Sequence, residues 1–197
     1  MPVMHLIAGP NGVGKSLLYE CLVRPRHPSL PFVNPKAYSS EYLQGITDQK
    51  RRADAARMKA DEERQELLRD AKSFVTECVF SHPSRVALIT HARSVGYEVV
   101  LYALALDEPR KLVQRVNQQA KEGGDPAPTY KVLERYPRVL ENLRRGVRAA
   151  DLSFLFDASD ASTGGPRLVA SVAQGRIRVH TVIRPRWLDK VLGFSEG

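Results

Sequence analysis

The run Gly9-Pro10-Asn11-Gly12-Val13-Gly14-Lys15-Ser16 fits the pattern G-x-x-x-x-G-K-[ST]. Each residue type in it has a chemical reason. Glycines carry no Cβ, so backbone N–H groups can turn inward around a polyphosphate. A lysine at the seventh position reaches the β- and γ-phosphates, and the serine hydroxyl after it is placed to sit on Mg²⁺. The candidate nucleotide contacts are therefore Gly9, Asn11, Gly12, Val13, Gly14, Lys15, Ser16 and Leu17, with Ser16 the metal contact. The chemistry expected of such a loop is the binding of a mononucleotide, ATP with Mg²⁺.

A loop of this kind works only between a buried strand and a helix. Before it, Val3-Met4-His5-Leu6-Ile7-Ala8 is a short apolar run, as a buried parallel strand requires. After it, Leu17, Leu18, Cys21 and Leu22 recur at helical spacing. The helix turns its positive end toward the anion. Further along, residues 31–34 read as a very short second strand, and residues 48–72 as a long, charged, largely solvated helix. Residues 73–80 read as a third strand, 83–94 as its helix, and 96–106 as a strongly buried strand. A helix with Pro109 in its first turn follows to about Lys121, with Asp107 and Glu108 placed to cap it. Residues 122–128 have the composition of a loop, 129–149 of a helix and 152–156 of a strand. Residues 166–183 suggest a hairpin turning near Gln174-Gly175, and Trp187 reads as an anchor for the tail.

Strands alternating with helices predict a single α/β domain of the P-loop NTPase type. Its sheet is expected to have five mostly parallel strands, helices on both faces and a C-terminal β-hairpin. Ligands in such folds bind outside the carboxyl ends of the strands, which singles out Asn34 to Lys36, Glu77 and Cys78, Asp107 and Asp157. The chain of 197 residues is long enough for one such domain. No run of apolar residues reaches the length of a membrane span, and no secretory signal is visible. Cys21 and Cys78 show no metal spacing and lie in apolar stretches, so both are expected to be buried free thiols in a reducing cytoplasm. The net charge of +8 suits a cleft for anionic substrates; nucleic acid is disfavoured, because few aromatics are interleaved with the basic residues.

With the loop, Thr76-Glu77, and the segment Glu122-Gly123-Gly124…Tyr130…Arg135-Tyr136-Pro137-Arg138 in view, the chain resembles the zeta-toxin-like kinases, in particular the short stand-alone members. The similarity runs from Met4 to about Asp157 and lies in the order of pieces: loop, Phe32-Val33-Asn34, a charged helix, Ser73-Phe74-Val75-Thr76-Glu77, Val95-Gly96-Tyr97, Ala105-Leu106-Asp107, and an Arg-rich helix with a Gly-Gly lid at about 110–138. The resemblance implies a kinase that uses ATP and Mg²⁺ to phosphorylate a hydroxyl of UDP-N-acetylglucosamine or a related UDP-sugar, and an antitoxin protein as partner. It implies that Lys15, Glu77 and Arg115 are catalytic, with Glu77 near substrate and Mg²⁺. It also implies that Arg115 carries charge to the transferring phosphoryl group, with Arg135 and Arg138 as candidates for the same work. Lys36, Glu77 and Arg135 are the candidate substrate contacts.

Four positions depart from that pattern. The family's Asn-x-Asp reads Asn34-Pro35-Lys36 here, and a lysine ammonium has no lone pair with which to take the acceptor's proton. Cys78 stands where Thr is usual, Gln119 where a second lid Arg is usual, and Asp125 where a His is usual. Three readings stay open at this stage, and with them whether the protein is an enzyme. UDP-sugar phosphorylation could use Glu41 or Glu77 as base; the acceptor could be anionic and bound by Lys36; or nucleotide could be bound without transfer.

Overall fold

The computed structural model describes residues 1–39 in full, the backbone of Ser40 and Glu41, and residues 45–121, 129–160 and 165–194. Strand β1 (Val3–Gly9) leads through the glycine loop into helix α1 (Lys15–Leu18), a π-helical segment (Tyr19–Val23) and α2 (Arg24–Arg26). Then come β2 (Phe32–Val33), α3 (Pro35–Glu41), α4 (Gln49–Arg69), β3 (Phe74–Val79), α5 (Ser84–Ser94) and β4 (Glu98–Ala105). Helices α6 (Pro109–Lys121) and α7 (Thr129–Ala149) precede β5 (Leu152–Asp157), the hairpin β6 (Arg167–Ala173) and β7 (Arg176–Val179), and α8 (Arg186–Leu192).

The strands form one sheet in the order β2-β3-β1-β4-β5-β6-β7. The first five are parallel, as alternation of strand and helix requires, and the hairpin extends the same sheet antiparallel from β5. The hairpin turns at Gln174 and Gly175, with φ of 50° and 76°. Positive φ at both central residues matches a two-residue turn to the twist of its strands.

Side chains alternate across β1. Met4, Leu6 and Ala8 enter one core with Phe74, Leu101, Leu143 and Leu188, while Ile7 enters the other with Val75, Leu104, Leu112 and Val116. Burial on both faces explains the near-continuous apolar runs of the central strands. It also fixes β1 in the middle of the sheet, between β3 and β4, so that the loop leaving it opens at the sheet's carboxyl edge.

Three sequence expectations are corrected. Cys21 is exposed, whereas Cys78 is buried. The π-helical segment spaces its bonds five residues apart, so the buried pair after the loop is Leu18 and Val23, and Cys21 turns outward. Helix α4 is not merely solvated: Ala56, Ala60, Arg64, Leu67 and Leu68 form a buried stripe against the sheet. Asp107 does not cap α6. Its Oδ2 accepts from the backbone N–H of Arg186 at 3.0 Å and its Oδ1 from that of Trp187 at 2.8 Å, so it caps α8. Glu108 remains beside α6, pairing with Lys111 Nζ at 2.9 Å.

Candidate functional site

The glycines of the loop answer to steric demands. A Cβ on Gly9 would stand 2.5 Å from the carbonyl oxygen of Leu104 on β4. One on Gly12, where φ is +76°, would lie 2.9 Å from the Leu112 carbonyl oxygen and 3.0 Å from Val116 Cγ2 of α6. Gly14 has φ of 99° and begins α1. The left-handed conformation costs an L-residue roughly 1–2 kcal/mol before any clash is counted. The loop therefore packs directly against β4 and α6, and Val13 is buried between them. Leu17 is exposed and faces Gly165, whose added Cβ would sit 3.8 Å from Leu17 Cδ2.

Lys15 is buried at 6% exposure. Its Nζ donates to the carbonyl oxygens of Pro10 at 3.0 Å and Gly9 at 3.3 Å, and lies 3.9 Å from Glu77 Oε1. Burial pulls the ammonium's pKa below its usual value; the Glu77 carboxylate opposes this, and Lys36 adds to it through like charge. Ser16 Oγ donates to Glu77 Oε2 at 3.1 Å. Glu77, itself 5% exposed, thus touches both chemical residues of the loop. Parallel pairing of β1 with β3 does this, setting Ile7 opposite Glu77 so that β3 delivers a carboxylate to the loop.

A hydroxyl and a carboxylate side by side suit Mg²⁺, which keeps most of its ligands as water and phosphate and takes one or two protein oxygens. Among the described residues no group of three or more His, Cys, Asp or Glu could hold a metal alone. Ser16 and Glu77 fit an ion that arrives with a nucleotide.

Beneath Glu77 lies a residue the sequence reading missed. Arg64 of α4 is 2% exposed; its Nε donates to Thr76 Oγ1 at 2.7 Å and its Nη2 to the Glu77 carbonyl at 3.5 Å. Arg64 also pairs with Asp61, which in turn accepts from Arg85 Nη1 at 2.8 Å. Thr76 Oγ1 donates onward to the Val33 carbonyl at 3.0 Å, tying β2 to the same network. A signal existed: Arg64 falls in register with Ala56 and Ala60 at four-residue spacing, on the stripe that the helix had to bury.

The other wall belongs to α6. Arg115 is half-buried, and its Nη2 donates to the Ala158 carbonyl at 2.9 Å, just past β5. Its Cβ is 3.4 Å from the Cβ position of Gly12. Arg115 thus stands against the loop. Gln119, one turn on, is exposed. Arg135 is exposed on α7, and Arg138 pairs with Glu134 at 2.8 Å. Next to Arg135, Tyr136 is buried and donates from its hydroxyl to the Leu106 carbonyl; burial pushes its pKa upward. Lys36 is exposed in the first turn of α3, where its N–H donates to Asn34 Oδ1 at 3.0 Å. Cys78 is buried beside Glu77, and His82 is exposed and bonded to Ser84 at 2.9 Å. Gly123, Gly124 and Asp125 lie outside the described residues, as does the side chain of Glu41.

No family model matches this chain, and no curated protein does. Solved structures do. A chain of the AvrRxo1-ORF1:AvrRxo1-ORF2 complex with sulphate ions superposes at a TM-score of 0.70, with 19% identity, over 92% of this chain and 62% of its own. The same complex with ATP gives 0.70 and 20% identity over 91% of this chain and 60% of its own. A chain of the PezAT chromosomal toxin–antitoxin system of Streptococcus pneumoniae gives 0.60 and 13% identity, over 80% and 68%. The likeness is one of fold: a mostly parallel α/β sheet with a glycine loop after its first strand. This chain spans less than two thirds of the length of the AvrRxo1 chains, at 62% and 60%. No described helix is long and apolar enough to cross a membrane.

Proposed function

We propose that the protein binds ATP with Mg²⁺ in the phosphate loop and transfers the γ-phosphoryl group to an acceptor held between Lys36 and Glu77. The observation that carries this is the contact of one buried carboxylate, Glu77, with both Ser16 and Lys15. Loop glycines and Lys15 hold the phosphates. Ser16, with Glu77 behind it, would hold Mg²⁺, which would supply positive charge to the phosphates. Charge spreads over the γ-phosphoryl oxygens in a loose transition state, and Arg115, already against Gly12, supplies a guanidinium to it. The acceptor oxygen bonds to phosphorus as the bridge to the β-phosphate breaks. The acceptor that the zeta-toxin resemblance implies is a hydroxyl of a UDP-sugar such as UDP-N-acetylglucosamine, with Arg135 as a further substrate contact; a neighbouring carboxylate, Glu41 or Glu77, would serve as base where the family's Asp is replaced by Lys36. An antitoxin protein is the partner class suggested by the likeness to the PezAT system.

Lys36 favours a second reading. It is an exposed cation close enough to lower the pKa of Lys15, in the place of the family's catalytic carboxylate. A second cation there suits an anionic acceptor, or a protein that holds nucleotide without transferring phosphate. The experiment is ADP release with ATP and Mg²⁺, alone, with a UDP-sugar, and with phosphorylated acceptors. Stimulation by the UDP-sugar, rising further in Lys36→Asp, supports the first reading. Stimulation only by phosphorylated acceptors supports the anionic acceptor. Tight binding without release on any acceptor supports a binding protein. Lys15→Ala abolishes nucleotide binding in every case, and unchanged affinity would sink the site itself.

A further inference from the structure

The carboxylates that close β4 and β5, where this fold places its chemistry, are both engaged by the C-terminal helix. Asp107 accepts the first N–H groups of α8. Asp157 Oδ1 accepts the indole N–H of Trp187 at 2.8 Å, a bond buried at both ends: Trp187 is 1% exposed and Asp157 9%. The same Asp157 folds the chain that leaves β5. Its Oδ1 accepts from Ser159 Oγ at 2.9 Å and its Oδ2 from the Ser159 N–H at 3.4 Å. The turn so formed presents two carbonyls to α6: Ala158 O accepts from Arg115 Nη2 at 2.9 Å, and Ser159 O from Lys111 Nζ at 3.5 Å. After this turn the chain returns to the loop at Gly165 and Pro166, with Pro166 Cγ 3.6 Å from the Cβ position of Gly14. Polar contacts joined by one short turn of backbone therefore run from the tail helix to the guanidinium of Arg115, a residue whose Cβ stands against Gly12.

We propose that Trp187 is a positioning residue for the phosphate site: through Asp157 it fixes the turn of residues 157–159, whose Ala158 carbonyl sets the guanidinium of Arg115 against the phosphate loop. This rests on the nucleotide reading of the loop. Arg115 is a long side chain with several rotamers, and a guanidinium held by one fixed carbonyl keeps its remaining N–H groups for a ligand. The geometry is specific to the indole N–H. A Phe fills most of the same volume and offers Asp157 no donor, leaving a buried carboxylate oxygen with one partner fewer. The C-terminal helix therefore sets how strongly the site distinguishes a third phosphate.

The test compares dissociation constants for ATP and ADP, each with Mg²⁺, by calorimetry on the full chain. Wild type is expected to prefer ATP, and Arg115→Ala to cut that preference about tenfold, the worth of one charged hydrogen bond. Trp187→Phe is expected to cut it about three- to tenfold while ADP affinity stays near wild type. In the double variant the loss should not exceed that of Arg115→Ala, because both act through one guanidinium. Ser159→Ala removes a single hydroxyl from the same chain, should lower the preference in the same direction by less, and serves if Trp187→Phe does not fold. The proposal is overturned if Trp187→Phe and Ser159→Ala keep the wild-type ATP-to-ADP ratio, whatever happens to the melting temperature, since that is what a purely structural anchor does. It is overturned too if the two losses multiply in the double variant. If Arg115→Ala leaves the ratio unchanged while Lys15→Ala abolishes binding of both nucleotides, Arg115 does not reach the third phosphate; the proposal then falls and the nucleotide site stands. Unchanged binding in Lys15→Ala would instead remove the nucleotide reading and the proposal with it.

Discussion

Replacing Glu77 by Gln removes one negative charge and keeps the shape of the side chain. The charge lost stands 3.9 Å from the buried ammonium of Lys15. At an effective dielectric constant of about 20 that attraction is about 4 kcal/mol. Three things reduce the net loss. Gln still accepts from Ser16, Lys15 keeps the carbonyls of Gly9 and Pro10, and the desolvation of the carboxylate is relieved. A cost of about 2 kcal/mol remains, or about 4–8 °C in melting temperature for a domain of this size. The functional consequence has a definite sign. Burial already lowers the Lys15 pKa, and Glu77 is the largest influence that raises it. Without Glu77 the ammonium gives up its proton at a lower pH. On the proposed nucleotide reading, affinity for ATP is expected to fall as pH rises through the Lys15 pKa, because phosphate binding needs the charged form, and in Glu77→Gln that fall should begin at lower pH than in wild type. Stability shows the opposite trend. A lysine with a depressed folded-state pKa binds fewer protons folded than unfolded, so its contribution to stability rises as pH rises toward its unfolded value of 10.5. The assay is fluorescent-ATP titration from pH 6 to 10, with thermal melts in parallel. A Glu77→Gln profile superimposed on wild type, or displaced to higher pH, refutes the reasoning.

Gly12→Ala is expected to abolish ATP binding and to lower stability by at least ~2 kcal/mol, because φ of +76° and the Leu112 carbonyl at 2.9 Å leave no place for a methyl group; nucleotide titration and urea melts check it. His5 is buried against the Tyr102 hydroxyl at 3.2 Å and the His27 ring at 4.2 Å, and burial, with the charge of His27 second, pushes its pKa down from 6.5 to about 4. A neutral histidine that must charge on unfolding makes stability fall as pH drops from 6.5 to 4, by up to about 3 kcal/mol, and urea melts of His5→Gln should show a flatter profile over that interval. Asp107→Ala strips the N-terminal cap from α8 and should cost about 1 kcal/mol, with hydrogen exchange rising at Arg186 and Trp187 rather than in the central strands.

Much of the architecture was legible because its signals are local. Apolar runs marked the buried parallel strands, Pro109 opened α6, and Gln174-Gly175 turned the hairpin where two positive φ angles are needed. The corrections share a physical cause, which is that a side chain's surroundings are set by elements distant in sequence. A π-helical segment of five residues moved Cys21 from the core face to solvent, and no propensity announces such a segment. Asp107 looked like a cap for the helix two residues away and caps one that begins 79 residues later. Arg64 read as one more charge on a solvated helix until β3 lay across it.

The glycine loop was legible in the sequence alone, because its pattern depends on consecutive residues: missing Cβ atoms, one lysine and one hydroxyl in fixed order. The order of strands and helices around it likewise follows from periodicities of two and of 3.6 residues. What faces the loop was decided by the tertiary structure. Parallel pairing of β3 with β1 brings Glu77, 61 residues from Ser16, to its hydroxyl. Packing of α6 sets Arg115 against Gly12, and the tail helix returns to claim Asp107 and Asp157. These are contacts between groups far apart along the chain, held by sheet register and helix packing, and residue order does not encode them until the core has closed.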